Sequence, residues 1–519
     1  MTEKPSTSDP QANPQAGPQA DVVAFLADPR AHGGGPVDRI DTHASRVFMV
    51  DGRVYKMKRA LRLPYMDYST VELRRVACEA ELRLNRRTAL GLYLGVEPIA
   101  RGPDGRLSIG GAGEPVDWVV VMRRVDQDTM FDRMAGRGAL DRAMMEELAE
   151  AVAAFHASAE VFAGRGGADA MAWVVEDNAA ELATLAPWLG TERLARFAEL
   201  SSRALEGGRP LLDRRRGEGK VRFCHGDLHL RNVCLFEGRP TPFDCIEFND
   251  DIAIIDVLYD LAFLLMDLER RGLRQLGNAV LNRYLECSGE HAGLALMPLF
   301  LSTRAAVRAK VTATIAAGDE EGRDRLRAEA GGYFDLALAL LAPPGPRLVV
   351  VGGLSGTGKT TLARRIAPHI GAAPGAVVLR TDVIRKRLAG IPETEPLPAG
   401  GYGAQASQAV YGELFRLARE TVSAGHAVIA DGVFARPGDR EAIADVARSC
   451  GVPFQPVWLD APVDRLVERV SARRGDASDA TPDVVLAQAR YDLGTLTWPR
   501  IDAGVAAADL ERTVLPLVG

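Results

Sequence analysis

Short apolar runs flank an Asp-Gly turn in RVFMVDGRVYKMK (46–58), a pattern that predicts a β-hairpin with Lys56 and Lys58 on one face of its second strand. STVELRRVACEAELRLNRRTAL (69–90) changes to helical spacing, and DWVVVMRRV (117–125) returns to a strand. From 139 to 340 helical patterns dominate, broken by a CHGD loop and a hairpin-like NVCLFEGRPTPFDCIEF (232–248). The Pro/Gly cluster in LLAPPGPRLVVVGG (340–353) cannot continue a helix, and the apolar run after it begins a new domain in which strands and helices alternate. Such alternation predicts a parallel sheet with helices on both faces. The expected organisation is a disordered tail at 1–20 rich in Pro, Gln and Ser, then a small sheet lobe followed by a larger helical lobe at 21–344. An α/β domain at 345–519 completes it.

Composition narrows the class. The 519 residues carry 63 basic and 69 acidic side chains, a net charge of −6, with no concentrated basic stripe, so nucleic acid is not an expected partner. No apolar run reaches the roughly 18 residues of a membrane span, and the start has neither the basic nor the apolar region of a signal peptide. The expected location is the cytoplasm. The six cysteines are dispersed without a CxxC pair, which suggests neither a zinc site nor a disulfide framework. Lysine is scarce, seven residues in all, and four of them are Lys56, Lys58, Lys359 and Lys386, where a compact point charge is useful.

Two segments carry phosphoryl-transfer chemistry. In HGDLHLRN (225–232), Asp227 and Asn232 are separated by four residues, the spacing that lets one loop aim a base at an acceptor hydroxyl and a carboxamide oxygen at a metal. FDCIEFND follows, where Asp244 or Glu247 can supply the remaining metal carboxylate. His225 is expected to orient the loop, and His156 to pack in the core. On a later helix, LSTRAAVRAKV (301–311) sets Arg304 and Arg308 one turn apart, either a solvated face or a site for an anionic substrate.

The second segment, GLSGTGKT (353–360), matches G-x-x-x-x-G-K-[ST], follows a strand and opens a helix. Gly353, Ser355, Gly356, Thr357, Gly358, Lys359, Thr360 and Thr361 form the expected nucleotide cradle. Backbone N–H groups and a helix N-terminus surround the phosphates, Lys359 reaches the β- and γ-phosphates, and Thr360 binds magnesium. Beyond it, one strand ends in Thr381-Asp382 ahead of a helix carrying Arg385, and another ends in Asp431. RLVERVSARRGDASDA (465–480) reads as a lid with Arg469, Arg473 and Arg474 available for phosphates.

Residues 40–340 resemble the aminoglycoside phosphotransferase family, within the wider group of choline and homoserine kinases, on CHGDLHLRN, FDCIEF, DVLYDLAFLLMDL (256–268) and LAEAVAAFHA (148–157). The resemblance implies a bilobal α+β kinase fold, with Asp227 as base, and Asn232 with Asp244 or Glu247 as metal ligands. It also implies that Lys56 holds the nucleotide phosphates and pairs with Glu81 or Glu79, a role Lys58 could exchange for, and that VVVMRRV forms an interlobe hinge. Asp256 and Asp260 would anchor the loop and cap a helix. No glycine-rich GxGxxG precedes Lys56; DTHASRVFMV stands in its place. Residues 347–510 resemble the gluconate kinase, shikimate kinase and zeta-toxin group of P-loop kinases. That implies Asp382 beside the acceptor hydroxyl or magnesium, Asp431 as the second-strand carboxylate, and a lid arginine over the γ-phosphate. The pairing resembles bacterial proteins described as bifunctional aminoglycoside phosphotransferase and ATP-binding proteins. The expectation is therefore two ATP- and Mg²⁺-dependent phosphotransferase modules acting on small hydroxylated metabolites. The alternatives are a kinase-like sensor controlling a catalytic P-loop domain, or a kinase with a P-loop switch or assembly module.

Overall fold

The computed structural model describes residues 19–63, 66–398, 401–472 and 477–519. Most of the expected N-terminal tail (1–18) lies outside these residues; a helix begins at Ala20. The chain divides into two compact units, one of residues 1–139 and 224–254, the other of 140–223 and 255–519. These units do not follow the cut at 345: the helical part of the first module is grouped with the P-loop module.

In the first unit an antiparallel six-stranded sheet comprises β1 (Asp38–Asp41), β2 (Ser45–Val50), β3 (Arg53–Lys58), β4 (Tyr93–Arg101), β5 (Leu107–Ile109) and β6 (Glu114–Arg123), in the order β1-β2-β3-β6-β4-β5. The turn between β2 and β3 needs a positive φ at Gly52, which is +68° there. Phe48, Val50, Tyr55, Met57, Ile99, Val119 and Val121 form one apolar face. Helix α1 (Val71–Asn85) is capped by Thr70, whose hydroxyl accepts from the Leu73 N–H, and buries Arg74, Ala77, Cys78, Glu81, Leu84 and Asn85 at spacings of three and four. Glu81 is thus turned toward the interior with the rest of that stripe. A second hairpin, β7 (Val233–Phe236) and β8 (Arg239–Pro242), turns through Glu237 and Gly238, both at positive φ.

The second unit holds α2 (Arg142–Ser158), α3 (Thr191–Gly217), α4 (Val257–Arg270), α5 (Arg274–Ser288), α6 (Met297–Gly318) and α7 (Arg323–Leu340). Helix α4 is buried at every position from Val257 to Leu268, as its apolar sequence requires of a central helix. The same unit contains a parallel sheet of β9 (Leu348–Gly353), β10 (Val377–Arg380), β11 (Val428–Asp431), β12 (Phe454–Asp460) and β13 (Arg500–Asp502), in the order β10-β11-β9-β12-β13. Its helices include α8 (Lys359–Ile366), α9 (Thr381–Ala389), α10 (Ala404–Ser423), α11 (Val463–Ala472) and α12 (Pro482–Gln488). The fold class is therefore the expected one: an α+β kinase-like module, then an α/β P-loop module with a parallel sheet.

Strand β10 is an edge strand, and α5 covers it. Asn282 donates from Nδ2 to the Ala376 carbonyl at 3.3 Å and accepts at Oδ1 from the Val378 N–H at 2.7 Å; Asn278 also donates to Ala376 O, at 3.0 Å. Two side-chain amides one turn apart thus satisfy backbone groups that a sixth strand would otherwise pair. Arg283 extends the contact by bonding Glu150 at 2.7 Å, Glu286 at 2.9 Å and Glu393. His291 lies 3.1 Å from the Thr421 hydroxyl of α10.

Candidate active sites

The loop Cys224–Asn232 is shaped by His225, which is fully buried. Its Nδ1 accepts from the Asp227 N–H at 3.4 Å, so its Nε2–H donates to the Phe243 carbonyl, 2.9 Å away. Gly226, at φ +84°, makes the turn, and a Cβ there would sit 3.2 Å from Ile246 Cδ1 and 3.3 Å from the Ile252 carbonyl. Asn232 donates from Nδ2 to the Asp227 backbone carbonyl at 2.9 Å and to its Oδ2 at 3.0 Å, so Oδ1 is the side-chain atom that could serve as an oxygen donor. His229 Nε2 stands 3.3 Å from the same carboxylate. Asp227 keeps about a third of its side chain exposed.

The β7–β8 hairpin returns the chain so that the Phe243 N–H donates to the Asn232 carbonyl at 2.9 Å. Asp244, the next residue, is thereby placed at the hairpin base beside Asn232. It adopts φ +65°, an uncommon conformation for a residue with a side chain and one that Asp tolerates better than most. The Tyr93 hydroxyl accepts from the Asp244 N–H at 3.2 Å, and Asn85 Oδ1 accepts from the Cys245 N–H at 2.8 Å. Tyr93 and Asn85 were not anticipated from the sequence.

The two lysines of β3 occupy different environments. Glu81 bridges them, with Oε1 2.9 Å from Lys56 Nζ and Oε2 2.5 Å from Lys58 Nζ. Lys56 also meets Asp244 at 2.5 Å, whereas Lys58 meets Glu247, which in turn accepts from the Tyr68 hydroxyl at 2.7 Å. Side-chain exposure separates the pairs: 14% and 39% for Lys56 and Asp244, against 1% and 7% for Lys58 and Glu247. Glu79 lies on the exposed side of α1 and pairs with Arg75. Burial opposes charge on Lys56, but Asp244 and Glu81 outweigh it and hold its pKa well above the ordinary lysine value. Burial likewise raises Glu81, yet the two ammonium groups bring it down to about 2.

The carboxylates at 256 and 260 have structural partners. Asp256 caps α4 through the Leu258 N–H and takes two bonds from Arg215, at 2.7 and 2.8 Å; Arg215 also meets Glu290 at 2.6 Å. Asp260 Oδ2 lies 3.0 Å from His156 Nε2, and His156 Nδ1 lies 2.9 Å from the Tyr284 hydroxyl. His156 is buried as expected, within a hydrogen-bonded chain.

In the P-loop module, Gly353 and Gly356 have φ +138° and +85°, and a Cβ would come within 2.5 Å of the Leu459 carbonyl at the first and 2.7 Å of the Leu466 carbonyl at the second. Lys359 Nζ donates to the Leu354 carbonyl at 2.9 Å, folding the ammonium over the loop. The Thr360 hydroxyl donates to Asp431 Oδ2 at 2.5 Å, which brings the P-loop helix and the end of β11 together. Burial raises the Asp431 pKa, with Lys359 and Arg380 acting against it. Arg380, at the end of β10, has Nε 3.9 Å from the same oxygen. The Ser355 N–H donates to Gln488 Oε1 at 2.8 Å. Gln488, on α12, carries no sequence signal for this contact.

Asp382 sits in the first turn of α9, one turn before Arg385. Arg385 is 9% exposed; it donates from Nη1 to the Gly401 carbonyl at 3.0 Å and lies over the Tyr402 ring at 4.9 Å, while its Nε has no hydrogen-bond partner. The following Lys386 bonds Asp479 at 2.7 Å, and Asp479 also accepts from the Tyr402 hydroxyl at 3.1 Å. Thr361 is exposed, and Arg469 is half-buried near the end of α11. Arg473 and Arg474 lie outside the described residues. Arg304 and Arg308 are on α6; Arg304 is buried over Tyr259, and Arg308 stands over Tyr333.

Asp227, Asn232, Asp244 and Lys56 occur together in the first module, and a glycine-rich loop with Lys359 and Thr360 occurs in the second. Both halves have kinase-like or phosphotransferase-like folds. The Phosphotransferase enzyme family model matches residues 89–296, and an AAA domain model matches 348–493. The chain belongs to the family of the uncharacterized protein Rv2004c of Mycobacterium tuberculosis, to which it is 33% identical over 488 residues, covering 92% of this chain and 94% of that protein. Among solved structures, a choline/ethanolamine kinase family protein from Mesorhizobium loti aligns at 18% identity and a TM-score of 0.38, over 63% of this chain and 99% of its own. A gluconokinase from Sinorhizobium meliloti 1021 aligns at 20% identity and a TM-score of 0.25, over 33% and 91%. No helix among the described residues is long and apolar enough to cross a membrane.

Proposed function

We propose that the chain is a bifunctional ATP-dependent phosphotransferase in which each module transfers the γ-phosphate to a hydroxyl of a small metabolite. ATP as donor assigns this work to the cytoplasm. The observation that carries the reading is the joining of Asp227, Asn232 and Asp244 at one hairpin base, with Lys56 bonded to Asp244. In the first module Lys56, steadied by Glu81, holds the nucleotide phosphates. Asp227 orients the acceptor hydroxyl and receives its proton at the carboxylate. Asn232 Oδ1 and Asp244 are oxygen donors suited to Mg²⁺, and Glu247, spent on Lys58 and Tyr68, supports the site from inside. In the second module Thr360 and Asp431 would hold Mg²⁺, Lys359 the phosphates and Asp382 the acceptor hydroxyl. Arg385, buried with an unpartnered Nε, suits an acceptor that already bears an anionic group. The cation, when bound, supplies neutralisation of phosphate charge.

Adjacency supports a further part of this reading: the modules act in one pathway, with the P-loop site working first and its product, or a close relative, passing to the other. A screen of the purified protein against a metabolite library for ATP-dependent phosphate incorporation tests both parts. Asp227→Ala is expected to abolish one activity and Lys359→Ala the other. A single phosphorylated product should accumulate in the Asp227→Ala protein, and none should form in the Lys359→Ala protein given the same starting metabolite. Wild-type incorporation in both variants would overturn the assignment; unrelated acceptors for the two sites would overturn the shared pathway alone.

A further inference from the structure

Among the described residues, Arg304, Arg308 and Arg270, in the helical part of the second unit, have no carboxylate partner. Arg304 on α6 is 3% exposed. Its Nε donates to the Tyr259 carbonyl at 3.1 Å, its guanidinium carbon lies 3.8 Å from the Tyr259 ring centre and 4.8 Å from that of Phe263, and its Nη2 is buried without a hydrogen-bond partner. Arg308, one turn further along α6, and Arg270, on α4, both stand over the Tyr333 ring of α7, at 5.7 and 5.1 Å. Arg270 Nε is also buried and unpartnered. Tyr259, Phe263 and Arg270 are four and seven residues apart and so share one face of α4. Gly332 makes room: a Cβ there would lie 2.5 Å from Arg270 Nη2.

Two other deeply buried arginines meet carboxylates, whereas buried Arg440 is held by the Phe434 and Ala435 carbonyls, at 3.0 and 2.8 Å. Arg215 has Asp256 and Glu290, and Arg74 has Asp117 at 2.7 Å. A guanidinium cannot shed its proton at accessible pH, and burying it with an unmet N–H is unfavourable. Aromatic faces offset only part of that cost. Arg304 Nη2 has no such carbonyl among the described residues, so it still lacks an acceptor, and Arg308, one turn further along α6, and Arg270 are half-buried.

We infer that α4, α6 and α7 form a binding site for a small molecule bearing an oxyanion, with Arg304 as the inner ligand and Arg308 and Arg270 at the rim. The anion accepts the Arg304 Nη2–H and the rim guanidinium N–H groups, while Tyr259 and Tyr333 fix the guanidinium planes. This site requires neither phosphotransfer reading.

The test uses the full-length Lys359→Ala protein, which weakens anion binding at the P-loop, and titrates inorganic phosphate and malonate in separate calorimetric arms. Binding of at least one anion is expected, and the stronger arm identifies the oxyanion. Arg304→Met in the same background should weaken that binding tenfold or more and raise the melting temperature measured without anion. Arg308→Gln, at the half-buried rim, provides the second variant should Arg304→Met fail to fold, and should weaken binding severalfold. No binding in the parent protein, or titrations unchanged by the variants that fold, would overturn the site.

Discussion

Replacing Lys58 by Met separates the more deeply buried lysine of β3 from the one proposed to bind phosphate, Lys56. In the native protein Lys58 Nζ faces Glu81 at 2.5 Å and also Glu247, and those carboxylates are 0% and 7% exposed. Methionine fills similar volume without charge. Among the described residues, Glu247 would retain the Tyr68 hydroxyl and Glu81 would retain Lys56. Removing one partner from a buried ion network costs about 3–5 kcal/mol, because the charges left behind can neither reach water nor find a new partner. Lys56→Met removes a cation whose other contact, Asp244, is 39% exposed, so a smaller loss of about 1–2 kcal/mol is expected after solvent screening. The functional order should reverse. Lys56→Met should weaken nucleotide binding at the first site at least tenfold, whereas folded Lys58→Met should bind within about threefold of wild type. Urea unfolding gives the stability difference, and titration with a fluorescent ATP analogue in the Lys359→Ala background gives the affinity. The reasoning fails if Lys58→Met unfolds at the wild-type midpoint, or if Lys56→Met is the more destabilised protein while binding nucleotide normally.

Asn282→Ala leaves the Val378 N–H without its acceptor; a loss of about 1–3 kcal/mol is expected, together with faster amide exchange at Val378, and unchanged exchange would refute the cover on β10. Asp431→Asn should lower P-loop-dependent transfer about a hundredfold or more with little change in nucleotide affinity, read from single-turnover phosphate transfer and from equilibrium titration. Burial, aided by Arg387 and Arg416, lowers His291 to about 4, so between the unfolded value near 6.5 and that value the unfolded chain binds the extra proton. The His291 contribution is therefore complete above pH 6.5 and is lost as pH falls toward 4, on the order of 3 kcal/mol in total; His291→Gln should flatten the fall in urea midpoint over that window.

Features set by local chemistry were legible in the sequence. The Asp-Gly turn specifies the β2–β3 hairpin, the glycines of 353–358 need backbone conformations that side chains oppose, and the Asp227–Asn232 spacing fits a loop closed by its own hydrogen bonds. Depth was not legible. Lys56 and Lys58 share a strand face, and period two cannot tell which one lies beneath; in FDCIEF, likewise, nothing local says which of Asp244 and Glu247 stays exposed. Long-range partners were equally hidden. Asn278 and Asn282 look like ordinary polar positions one turn apart on a helix, and nothing local says that they meet an edge strand almost a hundred residues away in sequence.

That edge strand bears on why one chain holds two phosphate-handling motifs. Tethering through APPGP alone would leave each module independent and raise only the effective concentration of one site's product at the other. The α5 contact goes further. β10 delivers Arg380, Thr381 and Asp382 at its C-terminal end, and two of its backbone groups are satisfied by side chains of the preceding module. An exposed edge there would present unpaired Ala376 C=O and Val378 N–H groups to any other strand. The helical part of the first module therefore completes the second module's sheet at the strand that leads into Asp382, the proposed acceptor-side acid. A cut near 345 removes that cover as well as the tether, so full-length point variants, rather than separated modules, isolate the chemistry of each site.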